Sequence, residues 1–539
     1  MEKIYTDTYD FEHIRKNGAT YVDKTNLIWL LASEQIGKQF FLSRPRRFGK
    51  SLLISTLKYL FEGRRDLFKG LAIDSLNWDW DTTYPVLHLD MSGCESNSVE
   101  DVENDILAKL VLESERLNVP LRDNCSITKK FMYFINDIAS KSENGKFVLL
   151  IDEYDKPILG SMGSEKVKPF QEFLKQFYTV VKETESLQRF CLLTGVSKFS
   201  KVSIFSSLNN LTDITMDARF STLVGYTHSE VKDNFPESLQ SLAEKYNTDD
   251  HGAFDMLIEM YDGYCFDESM VPVFNPVSLG RCLNSLAIKS YWFETGTPTW
   301  LMSYAKKSPI NMDNLIISES QLGTFEPDAP DMIPVLFQSG YLTIKDAEFR
   351  GRQMRYKLGF PNEEVMNGFN EWLAAAYVPS SITQRSAWQE ECWDASLTGD
   401  AVRFVKTLQS FFACIGYDLT DRQNEQSYEC ILTAILRFIG IDVCAEVTVS
   451  NGRIDMLVKN NEHVFVIELK IVGSADMDDS ARDEANKKAA SAAIAQIRER
   501  GYADQFRADA ASDKADVKLI GISFDCAVRN IGAYVVESL

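Results

Sequence analysis

Phe147-Val-Leu-Leu-Ile-Asp152-Glu153 joins an unbroken apolar run to two adjacent carboxylates. Such a run reads as a strand buried on both faces, the situation of a parallel sheet covered by helices. Ligands of these sheets bind at the carboxyl ends of the strands. Asp152 and Glu153 are therefore expected at the mouth of a site. Upstream, Gln39-Phe-Phe-Leu-Ser43 reads as another buried strand, and Ser51 to Phe61 as a helix with Leu52, Leu53, Leu57 and Leu60 on its apolar side. Pro85-Val-Leu-His-Leu-Asp90 and Arg189-Phe-Cys-Leu-Leu-Thr194 are further strands, with helical stretches near 100–117 and 168–186. Apolar runs alternating with helices give an α/β class with a doubly covered parallel sheet.

The loop between the first strand and its helix is Arg44-Pro-Arg-Arg-Phe-Gly-Lys50-Ser51. Against the phosphate-loop pattern G-x-x-x-x-G-K-[ST] the last three positions fit, while Arg44 stands at the first glycine. A tight loop at a helix N-terminus offers backbone N–H groups and a positive dipole end to phosphate. Arg46, Arg47, Phe48, Gly49 and Leu52 would line the phosphates, Lys50 would reach the β/γ-phosphates, and the Ser51 hydroxyl would ligate Mg²⁺. Arg44, Arg46 and Arg47 add positive charge suited to a polyanion. Asp152 would hold Mg²⁺ through water and Glu153 would polarise the attacking water. Thr194 and Ser197 end the next strand, where either would sense the γ-phosphate. Arg219 is a candidate finger for a neighbouring subunit, with a plain surface arginine as the simpler reading. Gly-Lys-Ser alone is a common triplet. The acids ending a buried strand, with strand 85–90 between the two motifs, turn it into an ATP–Mg²⁺ site. The missing glycine makes ATP binding a firmer expectation than fast hydrolysis.

At 539 residues the chain exceeds one ordinary domain. No run of 18 or more apolar residues occurs, so no membrane span is expected. The N-terminus lacks a secretory pattern. The ten cysteines include no C-x-x-C pair, which favours free thiols in a reducing cytoplasm over zinc or disulfides. A net charge of −21 opposes broad nucleic-acid binding but leaves room for a local basic groove. Oligomeric state is left open.

Three parts are expected: 1–225, 226–395 and 400–539. The middle part reads as mainly helical. Within it Asp331 to Gln338 is a helix stopped by Gly340, Tyr341–Ile344 and Tyr356–Phe360 are paired strands, and Asn362 caps a helix from Glu363. Helix, hairpin, helix fits a winged-helix-like unit or a plain lid. Residues 324–331 are a candidate linker. In the last part a helix from Asn424 to Ile439 precedes strands Cys444–Val449, Arg453–Val458 and Val464–Ile471, a helix near 480–500 and a strand Val517–Phe524.

Alternation puts Glu468 and Lys470 on one strand face, with Ile467, Leu469 and Ile471 on the other. One hairpin register brings Asp455 beside Glu468. Two carboxylates with a lysine form a divalent-metal site: Asp455 and Glu468 hold Mg²⁺ or Mn²⁺, which activates water, and Lys470 orients it or stabilises developing charge. Glu446 on the first strand is a further acidic candidate.

Ser43–Ser51, Leu150-Ile-Asp-Glu-Tyr-Asp-Lys-Pro157, Tyr21-Val-Asp-Lys-Thr25, Thr194-Gly-Val-Ser-Lys-Phe-Ser-Lys201 and Tyr261-Asp-Gly-Tyr264 resemble the bacterial AAA-ATPase-like family over roughly residues 1–280. The Arg44 departure is similar to that family's usual form. Members commonly carry a C-terminal domain of the PD-(D/E)XK nuclease type, and Asp455, Glu468 and Lys470 match its three signature places; the resemblance further implies an extra acid at Glu425 on the preceding helix and a supporting glutamine and tyrosine at Gln496 and Tyr502. The resemblance implies a P-loop NTPase sheet with helices on both faces, a helical middle and a C-terminal restriction-endonuclease-like α/β domain. The function expected is an ATP-binding, ATP-hydrolysing protein coupled to a metal-dependent nuclease on DNA or RNA, with genome defence as a setting by analogy alone. The alternative is a nucleotide-dependent switch or interaction protein whose nuclease-like domain is inactive. A kinase-like phosphotransferase is weaker, since Glu153 suits water activation better than acceptor positioning.

Overall fold

The computed structural model describes residues 2–94, 97–199, 210–292, 315–323, 325–328, 330–377, 382–413, 425–438, 441–449, 452–473, 477–507 and 514–539. The chain forms two compact units, one taking in Met1–Gly296 and Ile316–Val365, the other Thr297–Leu315 and Met366–Leu539.

The first unit is built on five strands: β1 (Gln39–Ser43), β2 (Val86–Asp90), β3 (Phe147–Asp152), β4 (Gln188–Gly195) and the short β5 (Thr212–Asp213). Their spatial order is β2-β3-β4-β1-β5, and every pairing is parallel. All residues of β1 and β3 are buried, as strands sealed between helices must be. Helices Lys50–Phe61, Val99–Leu117, Ile127–Lys141 and Val167–Glu183 connect and cover them. Ser98 opens the second of these by accepting the N–H of Asp101. The order matters for function: β4 separates the loop strand β1 from the acid-ending β3. In register, Asp90 pairs with Asp152, while Leu42 and Ser43 pair with Thr194 and Gly195. The polar strand ends therefore line one edge of the sheet.

Four helices follow, His228–Asn234, Pro236–Tyr246, Asp250–Tyr261 and Pro276–Ser285. Their core gathers Phe235, Leu242, Phe254, Leu257, Phe274 and Leu283. A three-stranded sheet, β6 (Leu315–Ser318), β7 (Thr343–Arg350) and β8 (Gln353–Gly359), has the order β6-β8-β7. Helix Met332–Ser339 is capped by Asp331 and stopped by Gly340 at φ 90°. Asn362 accepts the N–H of Val365 at the start of the helix Glu363–Tyr377. Helix, hairpin and helix thus occur in the expected order.

The second unit holds a mixed sheet of β9 (Asp442–Val449), β10 (Gly452–Asn460), β11 (His463–Val472), β12 (Asp516–Asp525) and β13 (Asn530–Ser538), ordered β13-β12-β11-β10-β9. Only β11 and β12 run parallel, joined by the crossover helix Asp479–Glu499. Gly521 lies where that helix crosses: a Cβ there would sit 2.3 Å from the carbonyl oxygen of Ala490. The opposite face packs Met456, Ile467, Leu469, Ile520 and Phe524 against helices Ala401–Phe412 and Glu425–Phe438. Among the described residues no helix is long and apolar enough to cross a membrane.

Candidate functional site

The loop after β1 is shaped by its own backbone. Gly49 sits at φ 90° as N-cap of Lys50–Phe61, a conformation that disfavours a side chain. Arg47 is also left-handed, at φ 68°. Lys50 folds back over the loop, and its ammonium donates to the carbonyls of Arg44 and Pro45, both at 2.9 Å. Burial pushes its pKa down, while Asp152, Glu153 and Asp155 oppose that shift. A phosphate entering this loop would compete with two carbonyls for a desolvated cation.

Arg44 corrects the expectation that it adds charge for a polyanion. It is 1% exposed. Its guanidinium donates to the carbonyls of Ser43, Thr215 and Phe220 and lies 4.1 Å from the centre of the Phe266 ring. It staples the loop to the segment after β5 and is not among the residues that line the cavity shared by Lys50, Ser51 and Glu153. Phe48 is fully buried, edge-on to Tyr264 at 4.7 Å and Phe266 at 5.4 Å, so its contribution to the site is its backbone. Arg47 donates to the carbonyl of Tyr291 at 3.0 Å. The Arg46 charge is felt by both Lys50 and Glu153.

At the neighbouring strand ends, the Thr194 hydroxyl donates to Asp152, which also accepts the Glu153 N–H at 3.1 Å. Glu153 is held at φ 52°, a left-handed position uncommon outside glycine and asparagine. Burial raises its pKa above 4.5, and Lys50 pulls the other way. Asp155, fully buried, accepts the N–H groups of Val196 and Ser197 and ties the acidic turn to the end of β4. The Ser197 backbone is thus held by Asp155, and its carbonyl accepts from the Tyr154 hydroxyl. Arg219 pairs with Asp217 on its own short turn.

A cavity of about 450 Å³ is lined by Arg46 to Leu53, Glu153, Tyr9, Lys24 and Tyr226 among others, within the size range of small-molecule sites. It brings Lys50, Ser51 and Glu153 together. Lys24 pairs with Glu230 at 2.6 Å. Its flanking residues Asp23 and Thr25 are anchors, Asp23 accepting the Ala72 N–H and Thr25 accepting that of Ile73. Tyr9 and Lys24 did not stand out as site residues in the sequence. The signal for Lys24 was an Asp-Lys-Thr triplet opening a helix, where the outer two residues are occupied by capping.

In the second unit, the Asp455 carboxylate accepts the N–H of Leu469 at 2.8 Å, between Glu468 and Lys470. Pairing of Met456 with Ile467 sets that register. Glu468 is 1% exposed and takes the Lys470 ammonium at 3.0 Å together with the amide of Gln496. Gln496 lies on Asp479–Glu499, and the Tyr502 hydroxyl is 3.5 Å from its amide. A donor set of two carboxylates without thiol or imidazole suits a hard cation such as Mg²⁺ or Mn²⁺. Among the described residues no group of three or more His, Cys, Asp and Glu gathers as a metal cage. Glu425 opens its helix and Glu446 lies on β9, but their side chains fall outside the described residues, as does Lys201.

Comparison with known proteins agrees with this geometry. A family model described as "Predicted AAA-ATPase" matches residues 6–205, and one described as "PD-(D/E)XK nuclease superfamily" matches residues 423–534. A protein of Azotobacter chroococcum mcd 1, named "Uncharacterized protein in vnfD 5'region", is 34% identical over 533 residues, covering 96% of this chain and 95% of that protein. The chain belongs to the predicted AAA-ATPase family and carries a C-terminal PD-(D/E)XK superfamily domain.

Proposed function

We propose that this AAA-ATPase-like chain hydrolyses ATP with Mg²⁺, and that its nucleotide cycle controls metal-dependent cleavage of DNA or RNA by the C-terminal domain. Residues 1–225 are the ATPase core in this reading, 226–395 a helical lid and 400–539 the nuclease-like domain. The observation that carries it is the shared cavity of Lys50, Ser51 and Glu153, with Asp152 held beside it by Thr194. Lys50 and the loop N–H groups bind the phosphates, Ser51 and Asp152 hold Mg²⁺, and Glu153 takes the proton of the attacking water. At the second site Asp455 and Glu468 would hold Mg²⁺ or Mn²⁺, which supplies an activated water, while Lys470 balances the charge on the phosphate. A cytoplasmic setting and a part in genome defence belong to the same proposal.

The test is phosphate release from ATP, with and without nucleic acid, by wild type and Lys50→Ala, alongside cleavage of DNA and RNA with Mg²⁺ or Mn²⁺. Turnover in the wild type that vanishes in Lys50→Ala supports the ATPase, and normal turnover in that variant removes it. Cleavage lost in Glu468→Ala supports the nuclease. A second reading, a nucleotide switch with a silent nuclease fold, would have the Lys470 ammonium, which bonds one Glu468 oxygen together with the Gln496 amide, stand in for the metal. ATP turnover with every nucleic acid left intact would select it.

A further inference from the structure

The β7–β8 hairpin carries a charge pattern opposite to that of the chain. From Phe349 to Lys357 the sequence Phe-Arg-Gly-Arg-Gln-Met-Arg-Tyr-Lys has four cations and no acid, in a chain of net charge −21. Its turn, Gly351-Arg352, has φ values of 61° and 68°, the two left-handed positions of a tight hairpin turn that continues the strand twist. The tip is therefore set by backbone geometry. Register pairs Phe349 with Met354, Arg350 with Gln353 and Glu348 with Arg355. Paired residues share a face, so Phe349 and Met354 occupy one side of the ribbon and Arg350 and Arg355 the other. Near the base Tyr356 and Leu358 are buried, whereas Phe349 at the tip is 70% exposed. Among the described residues no ion pair engages Arg350, Arg352, Arg355 or Lys357. Asp346 and Glu348 lie opposite Lys357 and Arg355, and Asp267, Glu268 and Glu319 act on Tyr356. The acids thus lie toward the base, and the outermost residues 349–354 contain none.

The exposed ring of Phe349 leaves apolar surface in water beside three guanidinium groups, a combination suited to a polyanion that also offers apolar edges. We propose that this hairpin enters a groove of duplex DNA tip first, with Arg350, Arg352 and Arg355 on the backbone phosphates of one wall and Phe349, on the other face of the ribbon, against the sugars and base edges of the other. A two-stranded ribbon fits a major groove about 12 Å wide. Guanidinium groups bind phosphate in a planar, two-point manner, and the exposed ring supplies apolar contact to groove edges such as the thymine methyl, which an acidic protein partner does not need. The proposal rests on the nucleic-acid half of the function above, but it places a contact outside the nuclease-like domain.

The test uses the full-length protein in EDTA, so binding is read without cleavage. Fluorescence anisotropy with a labelled duplex of about 30 base pairs, at several salt concentrations, gives affinity and salt slope. The triple variant Arg350→Ser, Arg352→Ser, Arg355→Ser should weaken binding at least about thirtyfold and flatten the salt slope by about three, since each neutralised phosphate contributes about 0.9. Phe349→Ala should weaken binding about tenfold with the slope unchanged, as loss of a buried apolar contact carries no charge. Unchanged ATP binding and melting temperature in both variants exclude misfolding. Equal affinity and slope in wild type and triple variant overturn the proposal. So does tighter arginine-dependent binding of single-stranded RNA, or of polyglutamate, in place of the duplex. Wild type that binds through the hairpin and never cuts in Mg²⁺ keeps the hairpin contact and removes the nuclease. Wild type that cuts, with the triple variant binding and cutting equally well, does the reverse.

Discussion

Thr194 at the end of β4 donates its hydroxyl hydrogen to the carboxylate of Asp152 at the end of β3. The bond exists because the sheet order places β4 between the loop strand and the acid-ending strand. Asp152 is buried, so its orientation depends on this donor and on the Glu153 N–H. Thr194→Val keeps the shape and removes the donor. The expected result is a fall in kcat for ATP of about tenfold, with ATP affinity changed far less, and a stability loss of about 1.5–3 kcal/mol. Phosphate-release kinetics and urea unfolding check both. A uniform rise in KM with kcat intact would assign Thr194 to binding instead.

Glu153 gives a pH dependence with a defined sign. Burial raises its pKa above 4.5. As the base it must be ionised, so kcat/KM for ATP should rise with pH along an acid limb whose midpoint lies above the ordinary carboxylate range. Glu153→Gln should lower kcat by about 100-fold or more while ATP still binds. Stability follows the same shift. A raised carboxyl pKa contributes stability that is fully present below the unfolded pKa and is lost as pH rises through the folded one. At neutral pH Glu153→Gln should therefore melt higher than wild type, and the gap should close toward pH 4. A variant that melts lower at pH 7 would contradict the buried-acid account.

Arg44 yields a counterintuitive expectation. Arg44→Gly restores the general phosphate-loop pattern, yet it removes three hydrogen bonds to carbonyls and the contact with Phe266. The carbonyls of Thr215 and Phe220 lose their bonds to a charged donor, and a large side chain's volume is left unfilled. The variant should lose about 3 kcal/mol or more, with weaker ATP binding as a consequence of the loosened loop. Denaturant unfolding measures the first, and titration with a fluorescent ATP analogue the second. A gain in ATP affinity without loss of stability would show that Arg44 merely substitutes for glycine.

The departure at Arg44 was legible in the sequence, but its cause was not. The carbonyls it binds lie about 170 residues further on, beyond any local pattern. Strands β1 and β3 were readable to within a residue because burial on both faces leaves unbroken apolar runs. The terminal β13 was not, since Asn530–Ser538 is mostly half-buried and shows no clean alternation. Helices Ile127–Lys141 and Ile382–Leu397 were also unassigned, the second with apolar residues spread around its axis. Asp455, Glu468 and Lys470 were nameable from strand parity, because parity survives whatever the tertiary packing, whereas Gln496 was named only through the resemblance to PD-(D/E)XK nucleases. Lys24 and Tyr9 were not, since only the fold carries the N-terminal segment across to the phosphate loop.

Gln496 binds Glu468 from the crossover helix, and that helix approaches closely only because residue 521 is glycine. Glu468 pairs in register with Gly521, so the two features act at one place. Gln496→Ala removes a donor that orients a buried carboxylate without touching the metal itself. The expected effect is a metal requirement raised about 10–100-fold, read as the Mn²⁺ concentration for half-maximal cleavage, with the rate at saturating metal reduced less. Gln496→Glu should be worse than Ala, because it sets a second negative charge against Glu468. Gly521→Ala should cost about 1–3 kcal/mol by pushing the helix off the sheet and should also raise the Mn²⁺ concentration needed for half-maximal cleavage. If Gln496→Ala lowers the saturated rate while leaving the Mn²⁺ midpoint in place, the amide acts on the phosphate or the water and not through Glu468.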